Sequence, residues 1–277
     1  MDNYILKIDC DDAKGLIYKI SDVLYKSDLN IVKNDEFVDS DKSRFFFRAI
    51  VSGDVANGNL VHKLEEVMPK SAKIELMKKR RKKIVIMATK ESHCLGDLLL
   101  KEYSDDLNAE VVAVVSNYDY LKELVDKFEI PFHHVCHGGL SRLEHEEKVL
   151  EVLQNYEFDY IVLAKYMRIL SSSFVSHFEG KMVNIHHSFL PAFIGANPYK
   201  QAFERGVKTI GATAHFVTND LDEGPIIAQD VINVTHEFSW RDMQKAGRNV
   251  EKVVLSNALD LVLEDRVFIS FNKTVIF

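Results

Sequence analysis

The pattern of apolar and polar positions changes character close to residue 80. Before that point, β-rich runs at residues 4–8, 30–37, 44–51 and 72–77 are interleaved with two stretches of helical spacing. In the first of these, Leu16, Ile20, Val23 and Leu24 share one face. The second, residues 59–67, is stopped by Pro69. Strand, helix, strand, strand, helix, strand is the βαββαβ order of a ferredoxin-like α+β sandwich. Beyond residue 83 the runs are of a different kind. Residues 84–87 and 160–163 are wholly apolar, as in strands buried on both faces, and further strands are predicted at 110–116, 182–185, 209–217 and 226–234. Helical spacing recurs at 94–102, 120–128, 142–156 and 239–263. Strands alternating with helices predict a doubly wound, mostly parallel, Rossmann-like α/β sheet.

The two patterns meet at Lys78-Lys79-Arg80-Arg81-Lys82-Lys83. Six like charges repel one another and resist burial, so the run reads as a solvated linker. The expected division is therefore a domain at 1–77, a basic linker at 78–83 and a second domain at 84–277. A chain of 277 residues suffices for two modest domains, and 47% hydrophobic residues supply their cores.

A formal charge of -7 gives no general drive toward nucleic acid or anionic membrane, so neither is expected as a partner. The acidic N-terminus and the lack of about 18 consecutive apolar residues predict neither a signal peptide nor a membrane span. Cys10, Cys94 and Cys136 are scattered and form no CxxC pair, which fits a reducing, cytoplasmic setting.

Chemistry gathers after the strand at 182–185, in Asn184-Ile185-His186-His187-Ser188-Phe189-Leu190-Pro191. Open α/β sheets bind ligands at the carboxyl ends of their strands. With a period of two, Asn184 and His186 point one way, and Ile185 and His187 the other. An amide and an imidazole converging on one spot can polarise a carbonyl and stabilise the oxyanion formed on attack. Thr213 and His215 share a face of the next strand, and Asp222 follows it in a Gly/Pro-punctuated loop. A carboxylate there can orient an imidazole or take a proton from a nucleophilic water. Each residue alone has a plainer reading as a strand-end hydrogen-bonder or turn residue. His133, His134, Cys136 and His137 crowd together, yet neighbouring residues of an extended segment face opposite sides, and no metal site is expected.

These segments resemble the formyltetrahydrofolate-dependent formyltransferase superfamily, through Asn-Ile-His-His-Ser-Phe-Leu-Pro, Gly-Ala-Thr-Ala-His-Phe-Val and Asp-Glu-Gly-Pro-Ile-Ile. Within it the chain is most similar to the deformylase branch, a likeness that runs through residues 188–197, 199–206 and 272–277. It departs from that branch at Asn197, where a lysine is usual. The resemblance implies hydrolysis of 10-formyltetrahydrofolate, with formate feeding purine synthesis and with water as the other substrate. It implies that Asn184, His186 and Asp222 are catalytic. It places the folate against Met167, Arg168, Ile169, Leu170, His215, Thr218, Asn219, Asp220 and Leu221, with folate as substrate and no tightly bound cofactor. It implies a cis Leu190–Pro191 bond. The N-terminal sandwich resembles an ACT domain, which implies a homo-oligomer and regulation by methionine or glycine at Asp9, Asp12 and Gly15.

The alternative is a transferase passing the formyl group to an amine. Transformylases with a phosphorylated acceptor carry a glycine-rich loop after the first strand. Here that position reads Ala88-Thr89-Lys90-Glu91-Ser92-His93-Cys94, without glycine and with a carboxylate that repels phosphate. A non-enzymatic folate or amino-acid sensor is a third reading, which an intact Asn, His and Asp argue against.

Overall fold

The structure is a computed structural model that describes residues 2–55, 59–192 and 197–277. The chain divides into two compact units. Residues 193–196, inside one of the matched motifs, lie outside the described residues.

The first unit is built from β1 (Asn3–Asp11), α1 (Leu16–Lys26), β2 (Asn30–Asp39), β3 (Arg44–Ser52), α2 (Leu60–Val67) and β4 (Lys73–Lys78). The strands form an antiparallel sheet in the order β2-β3-β1-β4, the expected βαββαβ arrangement. Its core comes from the predicted apolar stripes. Leu16, Ile20, Val23 and Leu24 of α1, with Leu60 and Leu64 of α2, pack on Leu6, Ile8, Phe45 and Phe47 of the sheet.

This unit differs from the expected 1–77 in taking Asp265–Phe268 and Val275–Phe277 from the C-terminus. The physical reason is a buried cation. Arg48 is 4% exposed, and its Nε donates to the Asp265 carbonyl at 3.0 Å. Lys7 Nζ donates to the Val267 carbonyl at 2.9 Å, and Phe268 meets Phe46 edge-on with centroids 5.6 Å apart. The connector is also shorter than the expected 78–83, because Lys78 closes β4 and Lys82, itself buried, opens the next strand.

The second unit contains β5 (Lys82–Ala88), α3 (His93–Tyr103), β6 (Ala109–Ser116), α4 (Lys122–Asp126), β7 (Phe132–His134), α5 (Arg142–Leu153), β8 (Tyr160–Leu163), α6 (Ser172–His177), β9 (Met182–His186), α7 (Pro198–Arg205), β10 (Thr209–Phe216), β11 (Ile226–Asn233) and α8 (Trp240–Leu263). Its seven-stranded sheet runs β11-β10-β9-β8-β5-β6-β7. Strands β9, β8, β5, β6 and β7 are parallel, while β10 is antiparallel to both neighbours, so the sheet is mostly parallel as predicted.

Ser141 and Ser239 begin α5 and α8 with capping boxes that satisfy the first free amides. The short strand β7 and helices α6 and α7 are not among the predicted elements. The hairpin of β12 (Val267–Ser270) and β13 (Lys273–Ile276) closes the chain. Among the described residues, no helix is long and apolar enough to cross a membrane.

Candidate active site

Strand β9 ends on the parallel half of the sheet, and the antiparallel β10 lies against it. Their register sets Asn184 opposite His215 and His186 opposite Thr213. Paired positions of this kind keep side chains within reach across the strands. Asn184 Nδ2 accordingly lies 3.2 Å from His215 Nε2.

The other ring nitrogen of His215, Nδ1, is 2.9 Å from the Phe216 carbonyl, which only accepts, so Nδ1 carries the hydrogen. Burial lowers the His215 pKa and keeps the ring neutral, which leaves Nε2 as an acceptor for the Asn184 amide. The amide is thereby oriented with its nitrogen toward His215.

Thr213 has a different task. Its Oγ1 donates to the Ser188 carbonyl and accepts from Leu190 N and Gln229 Nε2, at 2.9, 3.0 and 2.8 Å. It pins the turn after β9, where Leu190–Pro191 is cis.

Asp222 arrives from the loop between β10 and β11 in a left-handed conformation, φ 57°, which aspartate tolerates better than most residues. Its Oδ1 is 3.2 Å from His186 Nδ1 and 3.8 Å from His215 Nε2. Burial works to raise the Asp222 carboxyl, but the His186 bond and the surrounding imidazoles outweigh it and hold the carboxyl below its ordinary value. The loop returns through Gly224, where a Cβ would sit 1.8 Å from the Phe216 carbonyl oxygen, so only glycine fits there. His186 Nε2 is buried and has no hydrogen-bond partner among the described residues.

These groups open on one cavity of about 760 Å³. Met167, Arg168, Ile169 and Leu170, together with Thr218, Asn219, Asp220, Leu221 and His215, line it with Asn184, His186 and Asp222. Every residue assigned from the sequence to catalysis or folate therefore faces a single space. Met167, Ile169 and Leu221, each more than half exposed, are among the lining residues and offer an apolar bed for a flat ring. The strip 167–170 is irregular chain held at both ends. Met167 N donates to Thr89 Oγ1 at 2.9 Å, and Ser171 N to the buried Glu146 at 2.8 Å.

His187 departs from the expected alternation. Strand β9 ends at His186, the chain bends, and both rings line the cavity with centroids 5.2 Å apart. Burial, helped by the Lys165 ammonium, pushes the His187 pKa down to about 4, so its ring is neutral.

Beyond it lies a cluster that sequence reasoning missed. The Glu251 carboxylate, only 1% exposed, accepts from Tyr199 Oη at 2.5 Å and lies 2.7 Å from His93 Nε2 and 3.2 Å from Lys165 Nζ. Burial would raise its pKa, but His93, Lys165 and Tyr199 hold it down at about 2. Gly247 lets the Tyr199 ring lie against α8, since a Cβ there would be 2.2 Å from Oη. Two signals were available. Lys165 follows a buried strand at its carboxyl end, and Glu251 interrupts the apolar face of a long helix.

His93, Cys94 and Glu251 bring metal-capable atoms within 4.8 Å of one another. An ammonium already sits on that carboxylate, and burial raises the Cys94 thiol, so the set is built as an ion-pair network. The histidines considered earlier are engaged separately, His133 with Tyr156 Oη at 2.6 Å and His137 with the Asn117 carbonyl at 3.3 Å.

The residues assigned to an effector do not form one loop. Asp9 lies within β1 and pairs with Arg44, because β1 runs on to Asp11. Asp12 N donates to the Ser43 carbonyl at 2.8 Å, and Gly15, φ 84°, begins α1.

Comparison with known proteins places this geometry. The formyl transferase family matches residues 82–259. A formyltetrahydrofolate deformylase of Haemophilus influenzae is 53% identical over 98% of both chains. The crystal structure of a formyltetrahydrofolate deformylase from Pseudomonas syringae pv. tomato aligns over 100% of this chain and 95% of its own, with a TM-score of 0.95 and 38% identity. A glycinamide ribonucleotide transformylase of Symbiobacterium toebii aligns over 72% of this chain and 96% of its own, with a TM-score of 0.69 and 29% identity.

Proposed function

Since the chain belongs to the formyltetrahydrofolate deformylase family and hydrolyses 10-formyltetrahydrofolate to formate and tetrahydrofolate, we propose that Asn184, His186 and Asp222 perform the reaction. The observation that carries this assignment is the buried His186, with Nδ1 on the Asp222 carboxylate and Nε2 without a partner among the described residues. A buried polar atom left unpaired is costly, and it finds its partner when substrate arrives.

The pterin lies on Met167, Ile169 and Leu221, and the formyl group projects toward β9. Asn184 Nδ2 donates to the formyl oxygen as negative charge develops on it, and His186 Nε2 donates to it in the imidazolium form, whose Nδ1–H stays on the Asp222 carboxylate. A water oxygen bonds to the formyl carbon, and the carbonyl π pair moves onto oxygen. Asp222 takes a proton from that water and also holds the His186 imidazole in orientation through Nδ1. The tetrahedral intermediate collapses with the C–N10 electron pair returning to nitrogen. N10 takes the proton from Asp222, and the formyl carbon leaves as formic acid, which ionises to formate. The Asn184 to His215 bond keeps the amide turned correctly throughout.

Asp222→Asn tests the assignment. It keeps the shape and removes the charge, so formate release should fall by about 10³-fold while tetrahydrofolate binding stays within about threefold. Turnover near the wild-type level in that variant would remove Asp222 from the mechanism.

The first unit is read as an ACT-like regulatory domain. Its sheet order supports this. On this reading the enzyme is a cytoplasmic homo-oligomer that balances one-carbon folate pools and feeds formate to purine synthesis. Methionine or glycine adjusts its rate. Formate release measured with and without each amino acid decides the regulatory part.

A further inference from the structure

The cavity continues past the reaction centre to a second polar end, formed by Lys165, His187, Tyr199 and Glu251. A nucleophile entering from that end needs acceptors for its hydrogens. Glu251 is already engaged, its Oε1 by Tyr199 and its Oε2 by His93 and Lys165. The Lys165 ammonium can only donate, and the Tyr199 hydroxyl spends its one hydrogen on Glu251. His187 differs from all of them. Its ring lines the cavity beside His186, lies at a tilt to Tyr199 with centroids 6.3 Å apart, and makes no hydrogen bond to any described residue. Its neutral imidazole keeps one lone pair free.

We propose that the lone pair of the His187 ring holds the attacking water by accepting one of its O–H groups, while Asp222 accepts the other, which makes His187 a catalytic residue of the hydrolysis. The inference rests on the hydrolytic reading given above and deepens it by naming what receives the nucleophile. Two acceptors on one water leave a lone pair of its oxygen directed at the formyl carbon, and such positioning is itself a large part of catalysis.

The test uses the full chain with 10-formyltetrahydrofolate, comparing His187→Phe and His187→Gln in formate release. The phenylalanine variant keeps a ring of similar size and loses the acceptor. Its kcat should fall by about 10²-fold with KM within about threefold of wild type. The glutamine variant restores an acceptor oxygen and should recover kcat to within about tenfold of wild type. Overturning results are a phenylalanine variant within about threefold of wild-type kcat, equal loss in both variants, or a rise in KM with kcat unchanged; the last two assign His187 to packing. Should His187→Phe fail to fold by circular dichroism, His187→Met against His187→Gln makes the same comparison. Wild-type enzyme that released no formate would sink the hydrolytic reading itself, whereas turnover indifferent to His187 sinks only this proposal.

Discussion

Replacing Gly247 with alanine sets two rules of helix stability against each other. Gly247 lies inside α8, where exchanging glycine for alanine ordinarily stabilises a helix by about 1 kcal/mol. Here the new Cβ would lie 2.2 Å from Tyr199 Oη, 2.3 Å from Cζ and 2.4 Å from Cε1. The tyrosine ring is rigid and buried, so it moves as a whole. Overpacking of this kind costs about 1–3 kcal/mol.

As the ring leaves, its hydroxyl parts from Glu251 Oε1, now 2.5 Å away. A hydrogen bond to a charged group contributes about 1.5–3 kcal/mol, and the carboxylate it leaves is almost wholly buried. Offsetting the helix gain against both losses gives a net destabilisation of about 3 kcal/mol. Urea unfolding followed by the fluorescence of Trp240, the single tryptophan, reads this directly, because Trp240 opens the same helix. In a Tyr199→Ala background the clash and the hydroxyl are both gone, and Gly247→Ala should become stabilising by about 1 kcal/mol. A Gly247→Ala protein as stable as wild type, or more so, would refute the claim that Tyr199 is held against α8 by the Glu251 bond.

Two further outcomes follow from other parts of the site. At Gly224 the added Cβ would meet a backbone carbonyl at 1.8 Å, so the loop itself has to move and carries Asp222 with it. Gly224→Ala should lower kcat for formate release by about 10²-fold or more, and wild-type kcat in that variant would show that the loop tolerates the shift. The Glu251 carboxyl is held at about 2 against an ordinary 4.5. Its depressed pKa contributes stability that is complete above pH 4.5 and lost as the pH falls toward 2, on the order of 3 kcal/mol. Urea midpoints of wild type and Glu251→Gln should therefore converge across that window, and a gap independent of pH would contradict the ion-pair account.

Much of the architecture was legible in the chain because periodicity reports directly on burial. The stripe of Leu16, Ile20, Val23 and Leu24 and the apolar run at 160–163 each place one element unambiguously. Very short elements, such as the three-residue β7 and the six-residue α6, were not legible, because so few positions show no period. Asn184 and His186 drew attention because a strand end in a parallel sheet is a ligand position whatever the rest of the fold does, and Asp222 because it follows the next strand in a Gly/Pro-punctuated loop. Alternation along β9 predicted the direction of His186 correctly. It failed one residue later at His187, because a period of two holds only while the strand continues.

What the amino-acid order determined by itself was local: where strands and helices form, which faces are apolar, and which polar residues stand at strand ends. Only the tertiary structure decided the pairings between distant segments. Antiparallel register sets Asn184 against His215, and the packing of α8 delivers Glu251 to Lys165, 86 positions earlier in the chain. The Asp265 carbonyl meets the Arg48 guanidinium in the same way. The physical reason is that a buried charge requires a partner but does not specify where in the sequence it comes from. Packing the elements together settles that choice, and no local pattern records it.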